Sequence, residues 1–313
     1  MSYVDPVDAA VLRTILYGDV FDFPMTVREI HHFLIHDSPL SADRIEMALQ
    51  SSPWLQQHLY RVNGYICLAG RDELIHRREA REQACRHLWP RALRYGKWLA
   101  RLPYIRMVGL TGALAVRNPA ADDDDLDYLL ITAANRVWLA RAFAIVLVRA
   151  ARLWGVEICP NYVMAEDALE QDCKDMFMAH EVAQIVPLFG RQIYRRLRDA
   201  NGWVSTYLPN AASAFYDEGE HELGRGWALL KRAAEALLNT RLGDMLERWE
   251  YRRKLRRFAP ELESPHSAAK LDEQHVKGHF QDHGHPALAG YADRLRRYGL
   301  MPVSVQIKEV VTR

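Results

Sequence analysis

The chain has 313 residues, 49% of them hydrophobic and 26% charged, with a formal net charge of +1. That length suits two domains, or one core with a helical appendage, and the near-neutral balance excludes a general electrostatic grip on nucleic acid. Four cysteines without CxxC pairing, Cys67, Cys85, Cys159 and Cys173, read as reduced, mostly packed thiols and not as a disulfide frame or zinc site. The opening "MSYVDPVDAA" lacks the charge-then-apolar pattern of an export signal. The most apolar segment, "VWLARAFAIVLVRAARLW", is interrupted by Arg141, Arg149 and Arg152, well short of the roughly 20 apolar residues of a bilayer span. A cytoplasmic protein with no membrane partner is the expectation.

Residues 1–70 begin with an amphipathic helix, "VDAAVLRTILYG", closed by "FDFP". A second helix, "TVREIHHFLIH", starts with the capping-box pair Thr26 and Glu29, and a third, "SADRIEMALQSS", with Ser41 as its cap. "HLYRVNGYICLA" alternates about Asn63-Gly64, a strong hairpin signal. Three helices and a hairpin follow the order of a winged helix-turn-helix. The third helix sets Arg44 against Asp43 and Glu46, a poor phosphate-binding surface, so nucleic acid is not the favoured partner. Residues 71–101 read as a basic connecting helix kinked or broken at Pro90, serving either as a solvated connector or as a face toward bound polyphosphate.

Residues 102–165 read as strand, loop, strand, helix and strand, carried by "YIRMVGL", "LDYLLIT", "NRVWLARAFAIVLVRAARLW" and "GVEICPNYVM". Residues 166–313 read as mainly helical, including "CKDMFMAHEVAQIVPLFGRQIYRRLRDA" and one long helix from "ELGRGWALL" to "RRKLRRF". The fold class is therefore α+β: a small mixed-sheet core, a winged-helix-like front and a helical C-terminal region.

The chemistry centres on "LTGALAVRNPAADDDDLDYLLIT". Side chains alternate along a strand, so Asp125 and Asp127 project together while Leu126 and Tyr128 face the other way. Paired carboxylates repel unless a cation lies between them, and Mg²⁺, which takes oxygen ligands, is the natural partner. Asp122 and Asp123 suit a solvated acidic turn. Upstream, a glycine and a small residue, Gly112 and Ala113, end the preceding strand, with eleven residues between Ala113 and Asp125.

Gly112-Ala113, a short spacer and Asp125-Leu126-Asp127-Tyr128 together resemble the motif of the DNA polymerase beta-like nucleotidyltransferase superfamily. The front segment "LYGDVFDFPMT" also looks like the leading part of bacterial nucleotidyltransferase-domain proteins. The resemblance implies a nucleotidyltransferase core, Mg²⁺ held by Asp125 and Asp127, and triphosphate contacts around Gly112 and Ala113. It also implies a third carboxylate on the next strand. Glu157 is the conventional candidate and Asn161, as a neutral ligand or nucleotide contact, the other; with Cys159 they share one face if the strand is regular, although Pro160 leaves that parity open. Ala113 departs from the superfamily's usual serine. Arg117, in the intervening loop, is either a phosphate contact or simply exposed, and Glu181 either a general base on a closing helix or a surface carboxylate.

The expected activity is transfer of a nucleoside monophosphate from an NTP, ATP in the first instance, to an unidentified acceptor hydroxyl with release of pyrophosphate. The alternative is a regulatory protein that senses nucleotide or binds DNA or a partner without turnover. The histidines of "HVKGHFQDHGH" raise a metal reading, because His275, His279 and His283 would share one side of a helix. Gly278 weakens that helix, and structural or solvent-facing histidines are the preferred reading.

Overall fold

The computed structural model describes residues 4–219, 221–262, 270–277 and 283–303. These form an α+β fold with twelve α-helices, a three-stranded antiparallel sheet and a six-stranded mixed sheet among the described residues. Helix α1 (Pro6–Val20) starts at Asp5, whose carboxylate accepts the Val7 amide at 2.7 Å. Strand β1 (Met25–Thr26) leads into α2 (Val27–His32) through the expected capping box. The Thr26 amide donates to Glu29 Oε2 at 2.7 Å, and the Glu29 amide donates to Thr26 Oγ1 at 3.2 Å. Helix α3 (Ala42–Ser51) is capped by Ser41 and α4 (Pro53–His58) by Ser52. Strands β2 (Leu59–Val62) and β3 (Tyr65–Leu68) turn at Asn63 and Gly64, whose φ angles of 52° and 82° are those a two-residue hairpin turn needs. β1 pairs with the outer side of β3 to complete the small sheet.

Helix α5 (Glu73–Arg101) passes through Pro90 unbroken, so of the kink or break expected there no break occurs. Buried Leu88, Ala92 and Leu99 bind its face to the large sheet's core, and that packing outweighs one missing N–H donor. Then come β4 (Ile105–Leu110), the single turn α6 (Gly112–Ala115), β5 (Leu126–Thr132), α7 (Val137–Arg152) and β6 (Ile158–Ala165). Helix α7 is the crossover between β5 and β6, which run parallel. Helix α8 (Met176–Ala183) follows, then β7 (Val186–Phe189), α9 (Arg191–Ala200), α10 (Arg225–Leu238) and α11 (Arg241–Leu262). Strands β8 (Lys270–Leu271) and β9 (His275–Lys277) and helix α12 (Gly284–Arg297) complete the order. The large sheet is ordered β7-β4-β5-β6-β9-β8, antiparallel everywhere except between β5 and β6.

Three segments differ from the sequence reading. "VPLF", read as helical, is β7, paired with the other edge of β4. The long helix divides at Asn239 and Thr240, where α11 turns back so closely that a Cβ on Gly243 would stand 1.8 Å from the Leu238 carbonyl oxygen. His275 lies on β9, paired with β6, so it shares no helical face with His283; His279 and Asp282 lie outside the described residues.

One apolar cluster joins Leu12, Leu16 and Ile30 of the front to Ala179 of α8 and to Tyr291 and Leu295 of α12. A second fills the space between the large sheet and α5 and α7, with Tyr128 and Trp138 fully buried. No described helix is long and apolar enough to cross a membrane.

Candidate functional site

The large sheet builds the site from the ends of β4 and β5. Leu126, Tyr128 and Leu130 of β5 face the α5/α7 core, whereas Leu129 and Ile131 face a smaller cluster with Tyr194 and Leu197. By strand alternation Asp127 belongs to this second face. It lies at the polar end of the strand, and its backbone carbonyl accepts the Thr111 amide at 3.0 Å. At that point the chain leaves β4 through Gly112, at φ +67°. A Cβ on Gly112 would lie 2.2 Å from Asp127 Oδ2, so glycine is required both for the dihedral and for the approach to the carboxylate. Ala113 begins the turn of α6 immediately after it.

Asp125 precedes β5 by one residue and is exposed. The loop before it is held by Asp124, which accepts the Ala120 amide at 2.8 Å and the Asp125 amide at 3.2 Å, while Asp122 and Asp123 are exposed. Across the parallel ladder, Asp127 is in register with Cys159. Ligand atoms of Asp125, Asp127 and Cys159 all lie within 4.8 Å of one another, the one such His/Cys/Asp/Glu group among the described residues.

The electrostatics follow from this packing. Burial, then the charge of Asp125, pushes the Asp127 carboxyl up to about 7, with a hydrogen bond from the Cys159 thiol acting the other way. Burial and the same two carboxylates push the Cys159 thiol up to about 12. Asp127 Oδ1 and Thr111 Oγ1 are buried without a hydrogen-bond partner. Orphaned oxygen, paired carboxylates and a side-chain-free cradle at Gly112 together fit a divalent cation.

A cavity of about 750 Å³ opens beside this group. Gly112, Ala113, Asp127 and Asn161 line it, as do Thr111 and Asn118. Glu181 of α8 and Lys277 of β9 also line it; burial raises the Glu181 carboxyl and the Lys277 charge lowers it. His180 lines it too, stacked on Tyr17 at 3.8 Å and held neutral by burial, which lowers it to about 4. Tyr17, Phe21 and Phe23, from α1 and the loop after it, form an aromatic wall.

Two expected residues stand elsewhere. Arg117 places its guanidinium over the Tyr216 ring, 4.2 Å from the centroid, and is not among the cavity-lining residues. Glu157 ends before β6 begins, and its mostly exposed carboxylate pairs with Arg152 at 2.7 Å. The position foreseen for a third carboxylate is therefore Cys159. The ladder shifts by one residue just beyond it, with Asp127 opposite Cys159 but Leu129 opposite Tyr162, so Pro160 and Asn161 form a bulge that breaks the alternation expected between Cys159 and Asn161, while Glu157 lies outside the strand altogether. None of the α5 side chains lines the cavity, so the basic residues of that helix do not face it. The sequence alone places Cys159 on the same strand face as Glu157 and Asn161 but gives it no ligand role, and it does not single out the aromatic wall, because both depend on contacts across the fold. No protein family, curated protein or solved structure matches the chain.

Proposed function

We propose that the protein is a nucleotidyltransferase that moves a nucleoside monophosphate from an NTP, ATP in the first instance, to an acceptor hydroxyl and releases pyrophosphate. The observation that carries this reading is the seating of Gly112 against the Asp127 carboxylate, beside Asp125 and in the wall of a cavity of about 750 Å³. The DNA polymerase beta-like core and the winged-helix-like front remain part of the proposal, supported by the order of the elements around that seat.

Asp125 and Asp127 are the residues that would hold Mg²⁺, which when bound supplies charge neutralisation for a triphosphate. With alanine at position 113, the backbone amides after Gly112 are left to meet the phosphate oxygens. Asn161, on the bulge and facing the cavity, offers an amide to the nucleotide. Glu181 faces the same cavity with a raised pKa, which suits it to take the proton from an acceptor hydroxyl at its carboxylate oxygen. Alignment and charge neutralisation are then the main sources of rate.

The thermal shift produced by ATP with Mg²⁺ is expected to vanish in Asp127→Asn and to weaken in Asp125→Ala. Pyrophosphate release with a panel of hydroxyl acceptors should fall at least about a hundredfold in either variant, the scale of losing one electrostatic element of such a site. ATP binding indifferent to both substitutions would defeat the proposal.

A second reading, nucleotide sensing without turnover, is favoured by Cys159 standing where a third carboxylate was foreseen. Nucleotide binding lost in Asp127→Asn, with no pyrophosphate released by the unaltered chain, would select it. Nucleic acid is not the proposed partner: the exposed part of α3 carries Asp43 and Arg44, and its Glu46 pairs with Arg61 at 2.9 Å.

A further inference from the structure

We propose that Cys159 is a third ligand of the cation held by Asp125 and Asp127, so that the site prefers a thiophilic divalent ion of the zinc or cobalt type to Mg²⁺. This rests on the reading that the aspartate pair holds a cation; it does not depend on the nucleotide or the acceptor.

Three features bear on this site. The first is register: Cys159 lies directly across the parallel ladder from Asp127, and the bulge at Pro160 and Asn161 begins immediately after it. The second is proximity, since a ligand atom from each of Asp125, Asp127 and Cys159 falls within 4.8 Å of the others. The third is unmet demand. Asp127 Oδ1 is buried with no hydrogen-bond partner, while Oδ2 of the same carboxylate fills the space where a Cβ would stand at position 112. A fold that needed only a neighbour for a carboxylate would not leave that oxygen bare.

The donor chemistry selects the ion. Mg²⁺ takes oxygen ligands in a strict octahedron and gains little from sulfur, whereas Zn²⁺ and Co²⁺ accept thiolate and carboxylate together. On binding, the S–H bond of Cys159 breaks, a metal–sulfur bond forms and the proton passes to solvent, so the coordinated group is a thiolate. No oxidant or reductant is involved. Glu157, the carboxylate that would have favoured Mg²⁺, is turned outward to Arg152.

Titration of the full chain with Co²⁺, followed by absorption spectroscopy, tests this. A thiolate-to-cobalt charge-transfer band should appear in the near ultraviolet, persist in Cys173→Ser and disappear in Cys159→Ser. Co²⁺ affinity should fall in Cys159→Ser by at least about tenfold, a loss that even outer-shell changes produce, while Mg²⁺ affinity stays level. Cys159→Asp should also lose the band and shift the Co²⁺ to Mg²⁺ affinity ratio toward Mg²⁺; it replaces Cys159→Ser if the serine variant does not fold. Co²⁺ binding without the band, or a band that survives loss of Cys159, overturns the thiolate ligand and leaves the aspartate pair standing. Absence of Co²⁺ and Mg²⁺ binding overturns both.

Discussion

Burial and the neighbouring Asp125 hold the Asp127 carboxyl at about 7, against about 3.9 for an aspartate in an unfolded chain. Between those values the folded protein keeps a proton that the unfolded chain has released, so stability falls as pH rises through the window and levels off above it. The cation-free protein should therefore show a melting temperature that declines from about pH 4 to about pH 7 by this contribution. Asp127→Asn should flatten that decline and melt higher than the unaltered protein at pH 8. A divalent cation added at pH 8 should raise the melting temperature of the unaltered chain and leave the variant unmoved. Parallel pH profiles for the two proteins would show that the carboxylate is not under this electrostatic load. The residues behind this behaviour were partly legible beforehand: Asp127 and Gly112 stood out because chain order alone put a glycine turn ahead of an acidic strand. Cys159 did not, because its place opposite Asp127 depends on the register of β6, and a bulge next to a proline decides that.

Helices and strands were legible wherever periodicity ran long enough. β4 and β5 are six and seven residues of mostly apolar sequence, and α7 has sixteen residues of helical pattern; all three form where expected. β7 has only four residues, "VPLF", too few to separate a strand from a helix, and its assignment comes from the open edge of β4. The division between α10 and α11 was hidden because leucines continue at helical spacing across Asn239 and Thr240. At the front, the visible capping box proves to be half of a larger joint. Glu29, 2% exposed, also accepts Arg78 Nη2 of α5 at 2.8 Å, and the Arg78 side chain is 1% exposed with its guanidinium over the Phe23 ring. Glu29→Ala should thus cost about 3 kcal/mol or more, since it leaves a buried guanidinium short of a partner as well as breaking a cap. Urea denaturation measures this; a loss below about 1 kcal/mol, the cost of the cap alone, would mean that Glu82, which also accepts Arg78 Nε at 3.0 Å, suffices for Arg78.

At the scale of the whole molecule, the cavity lies between what the front of the chain contributes and what the large sheet contributes. Phe21 is 41% exposed yet lines the cavity that Asp127 reaches from the other side. Under the proposed function, Phe21→Ala should weaken nucleotide or acceptor binding by up to about tenfold through lost aromatic contact, with little change in melting temperature. Calorimetric titration distinguishes this from binding confined to the sheet side, for which affinity would not move. The same arrangement has a consequence for biosynthesis. Tyr17 of α1 meets Tyr291 of α12 edge-on at 5.4 Å, Asp19 pairs with Arg294 at 2.7 Å, and Arg13 donates to the Met301 carbonyl at 2.9 Å. A ribosome releases α1 long before α12 exists, so the apolar side of the leading helix has to wait, unsealed, for a segment made much later. Until then the face of α1 that carries Tyr17 lacks its partner, and whatever shields that ring in the interval is as much a condition of reaching this fold as any contact within it.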